Sequence, residues 1–185
     1  MIKPPENLET NRLMLRPPVI EDAELIFAKY AKDSEVTKYL IWRPHKDVSE
    51  TRVFVERCIR GWKEGSCYPW VVMRKDDNEL IGMIELRIAN GEADLGYVLA
   101  REAWGQGYAT EMAIAVVSWA IEQEEITRIW ATCDCENLAS ARVLEKAGLK
   151  FEKVLNAYIV HPAISEDRRD SFLFSISKGM CRRVG

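Results

Sequence analysis

Eight consecutive residues, Trp104-Gly105-Gln106-Gly107-Tyr108-Ala109-Thr110-Glu111, place the tightest constraint on what this chain can fold into. Ahead of them, Ala93-Asp94-Leu95-Gly96-Tyr97-Val98-Leu99 alternates with the two-residue period of a strand. Behind them, Ala109, Met112, Ala113, Val116, Val117, Ala120 and Ile121 recur at helical spacing and draw one apolar stripe. Glycines and small or hydroxylated residues therefore sit where a strand turns into a helix. The first N–H groups of a helix have no acceptor within it, and the helix dipole makes that end positive. Glycine lets backbone approach a ligand closely, so such a turn suits a phosphate group. A strand-to-helix turn that needs glycine for geometry alone would read the same way.

The rest of the chain predicts one α/β domain spanning residues 1–185 around that turn. Thr10 to Arg16 reads as a first strand, stopped by Pro17-Pro18, and Ile20 to Tyr30 as an amphipathic helix with an acidic first turn. Ser34 to Leu40 forms a short helical segment. A longer helix carries Val55, Cys58, Ile59 and Trp62, with Ser49 as its expected cap and Gly65 as its end. Trp70–Arg74, Glu79–Ile88 and the strand from Ala93 are separated by short polar turns, the pattern of an antiparallel meander. After the central helix come a strand at Arg128–Asp134, a helix at Leu138–Ala147 ended by Gly148, and two β-rich segments, Phe151–Val160 and Ser171–Ser177.

Composition removes several function classes. With 48% hydrophobic and 30% charged residues and a net charge of −3, the chain has no basic footprint for nucleic acid. Its apolar runs are too short to span a membrane, and the start Met1-Ile2-Lys3-Pro4-Pro5 has no signal-peptide core. Histidine occurs only at His45 and His161. Of Cys58, Cys67, Cys133, Cys135 and Cys181, only Cys133 and Cys135 are close, so no metal-ligand spacing arises. Reduced thiols and a cytoplasmic location are expected.

A second informative stretch runs from Asn137-Leu138-Ala139-Ser140 through Leu149-Lys150-Phe151. Asn137 follows a strand and suits an N-cap, with Ser140 in the same first turn; capping alone is a sufficient role for both. Together with the opening Leu8-Glu9-Thr10-Asn11-Arg12-Leu13-Met14-Leu15-Arg16, the two stretches resemble the GCN5-related N-acetyltransferase (GNAT) superfamily, and within it the RimJ/RimL type that acetylates ribosomal-protein N-termini. The resemblance extends from Leu8 to Ser177. It implies a single-domain GNAT fold, with a largely antiparallel mixed sheet of about seven strands and helices on both faces. It also implies acetyl-CoA as co-substrate and an amine as acceptor, without direct nucleic-acid or membrane partners; a homodimer stays open. Where many members carry Arg or Gln at the first position of the turn motif, this chain has Trp104.

What the resemblance assigns can be set out by residue. The pyrophosphate of acetyl-CoA belongs on the turn Trp104, Gly105, Gln106, Gly107, Tyr108, Ala109 and Thr110, chiefly on the N–H groups from Gln106 to Thr110. The pantetheine arm belongs along Tyr97, Val98 and Leu99, paired as an added strand would be. Asn137 would hydrogen-bond that arm, and the Val98 N–H would polarise the thioester carbonyl. Arg142 and Lys146, spaced i and i+4, could meet the adenosine phosphates or simply face solvent. Asp94 stands where many members carry a glutamate base, with Glu85 on the preceding strand as the other candidate. A tyrosine that many members carry seven residues after the motif asparagine is replaced by Leu144; Ser140 matches the serine of the RimJ/RimL branch, and the resemblance makes it the expected donor to the departing thiolate.

The acceptor is constrained by proton cost. At pH 7, deprotonating an α-amine of pKa about 8 costs roughly 1.4 kcal/mol, against roughly 4.6 kcal/mol for a lysine at about 10.4. A modest carboxylate base fits the first, so a protein or peptide N-terminus is expected, ribosomal or other. Small amines such as polyamines or antibiotics, and a non-catalytic acyl-CoA-binding module, are the alternatives. The acceptor site is expected between Tyr39–Pro44 and Ile159–Asp170, with Tyr39, Trp42 and Phe54 as an apolar wall. Glu166, Asp167 and Asp170 would attract a cation, offset by Arg168 and Arg169.

Overall fold

A computed structural model describes residues 2–178. Met1 and residues 179–185, which include Cys181, lie outside the described residues. In chain order the elements are β1 (Leu8–Glu9), β2 (Leu13–Arg16), α1 (Asp22–Ile26) running into a π-helical turn (Phe27–Ala31), α2 (Ser34–Thr37) and α3 (Val48–Glu64). They continue with β3 (Tyr68–Arg74), β4 (Leu80–Ala89), β5 (Glu92–Leu99), α4 (Tyr108–Glu122), β6 (Arg128–Asp134), α5 (Leu138–Lys146), β7 (Lys150–Val160) and β8 (Arg168–Ser177).

These strands form one sheet in the order β1-β2-β3-β4-β5-β6-β8-β7. Every pairing is antiparallel except β5 with β6, the two strands joined by the crossover through α4. The described sheet has eight strands rather than about seven. The extra one comes from the opening run, where the Thr10 hydroxyl accepts the Leu13 N–H at 2.9 Å and closes a turn. That turn takes Thr10, Asn11 and Arg12 out of the expected Thr10–Arg16 strand, so β2 begins at Leu13 and β1 forms ahead of the expected strand, from Leu8–Glu9. A second correction concerns α3: its cap is Asp47, whose carboxylate accepts the Ser49 N–H at 2.8 Å, so Ser49 lies inside the first turn. Gly65 ends that helix as expected, at φ 70°.

Layers on both faces of the sheet explain why β3 is buried along nearly its whole length. On one face α4 and α5 pack Met112, Val116, Ala141 and Leu144 against Ile84, Leu95 and Ile129. On the other, α1, the π-helical turn and α3 pack Ile26, Tyr30 and Val55 against Val71, Met73 and Met83. The stripe read from the sequence of α4 is the buried one, except that Ala109 and Ile121 sit at its margin. Two large aromatics of β3 keep their polar ends satisfied by the N-terminal arm. Tyr68 donates to the Ile2 carbonyl at 2.9 Å and Trp70 to the Pro5 carbonyl at 3.1 Å.

Candidate active site

The turn ahead of α4 has the geometry its glycines suggest. Gly107 is the N-cap residue at φ 83°, left-handed backbone that an L side chain rarely adopts, and no side chain caps the helix. Among the described residues none of the N–H groups from Gly105 through Thr110 finds an acceptor; the first to do so is that of Glu111, which donates to the Gly107 carbonyl at 3.0 Å. A Cβ on Gly105 would enter open space. Trp104 is half exposed, and its indole N–H is tied back to the Leu99 carbonyl at 2.9 Å.

Sequence reading missed a cation at this turn. Arg12 donates from Nη1 to the Gln106 carbonyl at 3.0 Å, and its guanidinium lies over the Tyr108 ring, 4.3 Å from the centroid. Glu111 holds it there, accepting from Arg12 Nε at 2.7 Å, from the Arg12 backbone N–H at 2.9 Å and from the Thr10 hydroxyl. Burial pushes the Glu111 carboxyl up, but these donors outweigh it and keep the group below the usual glutamate range. The opening motif and the glycine turn, read separately, thus form one clasp.

Between β5 and β6 the sheet opens. β5 pairs with β4 from Glu92 to Leu99, yet with β6 only from Glu92 to Asp94, opposite Arg128 to Trp130. From Leu95 onward the β6-facing backbone of β5 has no strand partner. Tyr97 and Leu99 carry that edge, whereas Val98 faces Met83 of β4, on the same side as the Ala100 N–H that reaches the Ile81 carbonyl at 2.8 Å. This corrects the expectation that the Val98 N–H opens onto the gap. Across the gap, Asn137 caps α5 by accepting the Ser140 N–H at 3.1 Å, which turns its carbonyl oxygen to the helix and leaves its NH₂ to face a ligand. The Ser140 hydroxyl meets the Tyr97 hydroxyl at 2.8 Å. Tyr97 had been expected to serve through its backbone; its side chain reaches the other wall. Burial pushes its phenol up to about 12.

Asp94 and Glu85 come together as neighbours of one guanidinium. Arg87 donates to Asp94 at 2.9 and 2.6 Å and to Glu85 at 2.6 Å. Burial pushes the Asp94 carboxyl above the usual aspartate range against the pull of Arg87. Cys67 lies against the far oxygen of Glu85 at 3.4 Å. Arg87 was legible in principle, being two residues from Glu85 and so on the same strand face. Arg142 and Lys146 are exposed on α5, and among the described residues no hydrogen bond or ion pair engages either side chain.

The two acceptor segments do meet. Arg43 pairs with Glu166, His161 Nδ1 lies 3.3 Å from the Leu40 carbonyl, and the Tyr39 and His161 rings stand edge to face at 6.3 Å. The apolar wall is smaller than expected. Trp42 and Phe54 are 6.2 Å apart with His45 beside both, but Tyr39 turns away to His161. In the charged loop Glu166, Asp167, Arg168 and Asp170 are exposed, as its composition suggests, and Arg169 alone of the five is drawn inward. Arg169 reaches buried Asp134 at the end of β6, at 2.7 and 3.2 Å, and His161 Nε2 lies 3.7 Å from the same carboxylate. Asp170 accepts the Ala157 N–H at 2.8 Å.

A sheet that opens beside a helix N-terminus lined with free N–H groups, with two hydroxyls meeting across the opening and carboxylates nearby, fits the acyl-transfer class that the resemblance implies. Comparison narrows the class. A family model described as acetyltransferase (GNAT) domain matches residues 12–150. The chain is 34% identical over 155 residues to the uncharacterized N-acetyltransferase YoaA of Bacillus subtilis (strain 168), covering 82% of this chain and 87% of that protein. A solved acetyltransferase (GNAT family) from Bacillus anthracis shares 28% identity with a TM-score of 0.81, covering 92% of this chain and 98% of that one. A ribosomal-protein-S5-alanine acetyltransferase from Vibrio fischeri shares the fold at 20% identity and a TM-score of 0.79, covering 94% and 97%. The chain belongs to the GNAT acetyltransferase family: it is an acetyl-CoA-dependent N-acetyltransferase. No helix among the described residues is long and apolar enough to cross a membrane.

Proposed function

We propose that the enzyme acetylates the α-amine of a protein or peptide N-terminus, in the gap between β5 and β6. The observation that carries the site is the presence of two backbone tracks without strand or helix partners, the N–H groups of Gly105–Thr110 and the β6-facing edge of β5 beyond Asp94, where Trp104 takes the Leu99 carbonyl. They fit the two halves of acetyl-CoA. The pyrophosphate needs donors and a positive end, which the turn offers with Arg12 beside it. The amide-bearing arm needs an extended partner, and Tyr97, Val98 and Leu99 offer one.

In this reading a gap-facing N–H of β5, at Tyr97 or Leu99 rather than at Val98, polarises the thioester carbonyl, Ser140 faces the sulfur, and the Asn137 NH₂ holds the arm. Arg142 and Lys146 supply loose charge for the adenosine phosphates. Asp94, alone or through a water, takes the proton of the incoming amine, with Glu85 as its neighbour on Arg87. Two carboxylates sharing one guanidinium make a mild base, and a mild base suits an acceptor whose deprotonation costs roughly 1.4 rather than 4.6 kcal/mol at pH 7. The resemblance to ribosomal-protein acetyltransferases points to the same acceptor class. Four free thiols among the described residues are consistent with a cytoplasmic enzyme.

The acceptor is tested with matched peptides. Thiol release from acetyl-CoA, with mass spectrometry of the product, is measured for a lysine-containing peptide with a free N-terminus and for the same peptide with that terminus blocked. The free peptide should react, with a pH–rate limb near its α-amine pKa, and blocking should abolish transfer. Equal reaction of the blocked peptide, or faster reaction of polyamines and aminoglycosides, would replace the N-terminal reading with the small-amine or lysine alternative. No thiol release with any amine would leave an acyl-CoA-binding module.

A further inference from the structure

We propose that Tyr97 and Ser140 act as one hydrogen-bond donor to the departing sulfur, Tyr97 being the residue that positions the serine; this rests on the placement of the acetyl-CoA arm in the gap. The two oxygens are 2.8 Å apart, on opposite walls of the opening. Tyr97 lies on β5 three residues beyond its last pairing with β6, and Ser140 sits in the first turn of α5 with its N–H fixed by Asn137. Two hydroxyls bonded to each other spend one hydrogen on their own contact. One O–H is left over, whichever oxygen donates. The contact therefore removes the rotational freedom that an isolated serine hydroxyl would keep.

The energetics favour hydrogen bonding over full proton transfer. A thiol of ordinary pKa, about 8.5, is a stronger acid than a phenol held up to about 12, so the pair keeps its protons when thiolate forms. As the C–S bond breaks, its electron pair stays on sulfur and the spare O–H hydrogen-bonds to that charge. The proton that the amine gave up then reaches the sulfur through solvent to make the free thiol, and neither hydroxyl ends the cycle ionised. The other titratable side chain beside the pair is the Cys133 thiol on β6, which burial likewise pushes up to about 12 and keeps protonated. This arrangement places a phenol in the leaving-group region although Leu144 occupies the position at which a tyrosine was sought on α5.

The test is a double-mutant cycle on kcat with Tyr97→Phe, Ser140→Ala and both together, each checked for wild-type folding. Ser140→Ala should lower kcat roughly 10²–10³-fold, the range for losing one such donor, with acetyl-CoA affinity nearly unchanged. Tyr97→Phe should lower kcat about tenfold with the KM for acetyl-CoA little altered, and the double variant should be no slower than Ser140→Ala alone. Ser140→Thr, which keeps a hydroxyl, should recover most of the loss. With the acetyl selenoester of the CoA analogue, whose selenolate leaves more readily, the Tyr97→Phe defect should shrink; a packing defect would not depend on the leaving atom. Wild-type kcat in Tyr97→Phe, losses that multiply in the double variant, or a defect indifferent to selenium would overturn the pair. Failure of wild-type enzyme to release thiol with any amine would instead remove the transfer reading beneath it.

Discussion

At the scale of single residues, Gly107 carries more of the account than any charged group. Its left-handed φ of 83° is what aims the unpartnered N–H groups outward, and a Cβ there would sit 3.5 Å from Arg12 Nη2. Gly107→Ala should cost about 1–2 kcal/mol of folding stability from backbone strain alone. It should weaken acetyl-CoA binding more than tenfold, a loss above about 1.4 kcal/mol, because a methyl group then shares the space between cradle and ligand. Calorimetric titration alongside thermal unfolding separates the two effects. A folded variant with wild-type affinity would take this turn out of the site. Nothing near Gly107 in sequence announces Arg12, which arrives from β2's entry turn through Glu111, 99 residues away.

At the scale of elements, the site exists because β5 is held firmly by β4 while it lets go of β6. Gly82 is where β4 meets the far end of β5, opposite Leu99, and a Cβ there would come within 2.3 Å of the Val98 carbonyl. Gly82→Ala should therefore push β5 outward just where Tyr97 and Leu99 line the gap. Overpacking of this kind costs about 1–3 kcal/mol. Urea unfolding should show that loss, together with weakened acetyl-CoA binding at a position that touches no ligand; unchanged affinity would mean that the free edge of β5 is not the docking track. Much at this scale was readable beforehand. The alternation of β5, the stripe of α4 and the terminating Gly65 all report local periodicity or backbone preference, which are properties of neighbouring residues. The split of β1 from β2 depended on a threonine side chain reaching three residues ahead, and the α3 cap on which of Asp47 and Ser49 adopted extended backbone. Periodicity also assigned Tyr97 and Ser140 to elements but not to each other, since a strand pattern fixes a face and not the partner across it.

For the whole molecule, the buried Asp134 ties together segments that no local pattern connects. It accepts from Arg169 on β8 and from the Glu136 N–H, and it faces His161, which in turn meets Leu40. Burial pushes its carboxyl up, but the Arg169 and Glu136 hydrogen bonds prevail and hold it below the usual aspartate range. With the native pKa depressed, the unfolded chain binds more protons in the window below about 3.9, so this stabilisation is complete above that pH and is lost as pH falls through the native value. Asp134→Asn should cost on the order of 3 kcal/mol at neutral pH, the scale for orphaning a largely buried ion-pair partner, and should flatten the acid limb of stability. Urea unfolding from pH 3 to pH 7 measures both; an unchanged acid limb would show that Asp134 is not the linkage group. The same joint brings the loops 39–44 and 159–170 together, so loosening it should be felt at the acceptor side before the acetyl-CoA side.

The central claim is that acetyl-CoA lies across the N–H groups of Gly105–Thr110 and along the free edge of β5, with its sulfur beside Ser140. Amide ¹H–¹⁵N shifts of the wild-type enzyme, recorded as acetyl-CoA is added, test it residue by residue. The largest perturbations should fall on Gly105–Thr110 and on Tyr97–Leu99, with a further set at Asn137–Ser140 and little change in β1, β7 or the outer turns of α3. Saturable perturbations centred elsewhere, with Gly105–Thr110 unmoved, would contradict it.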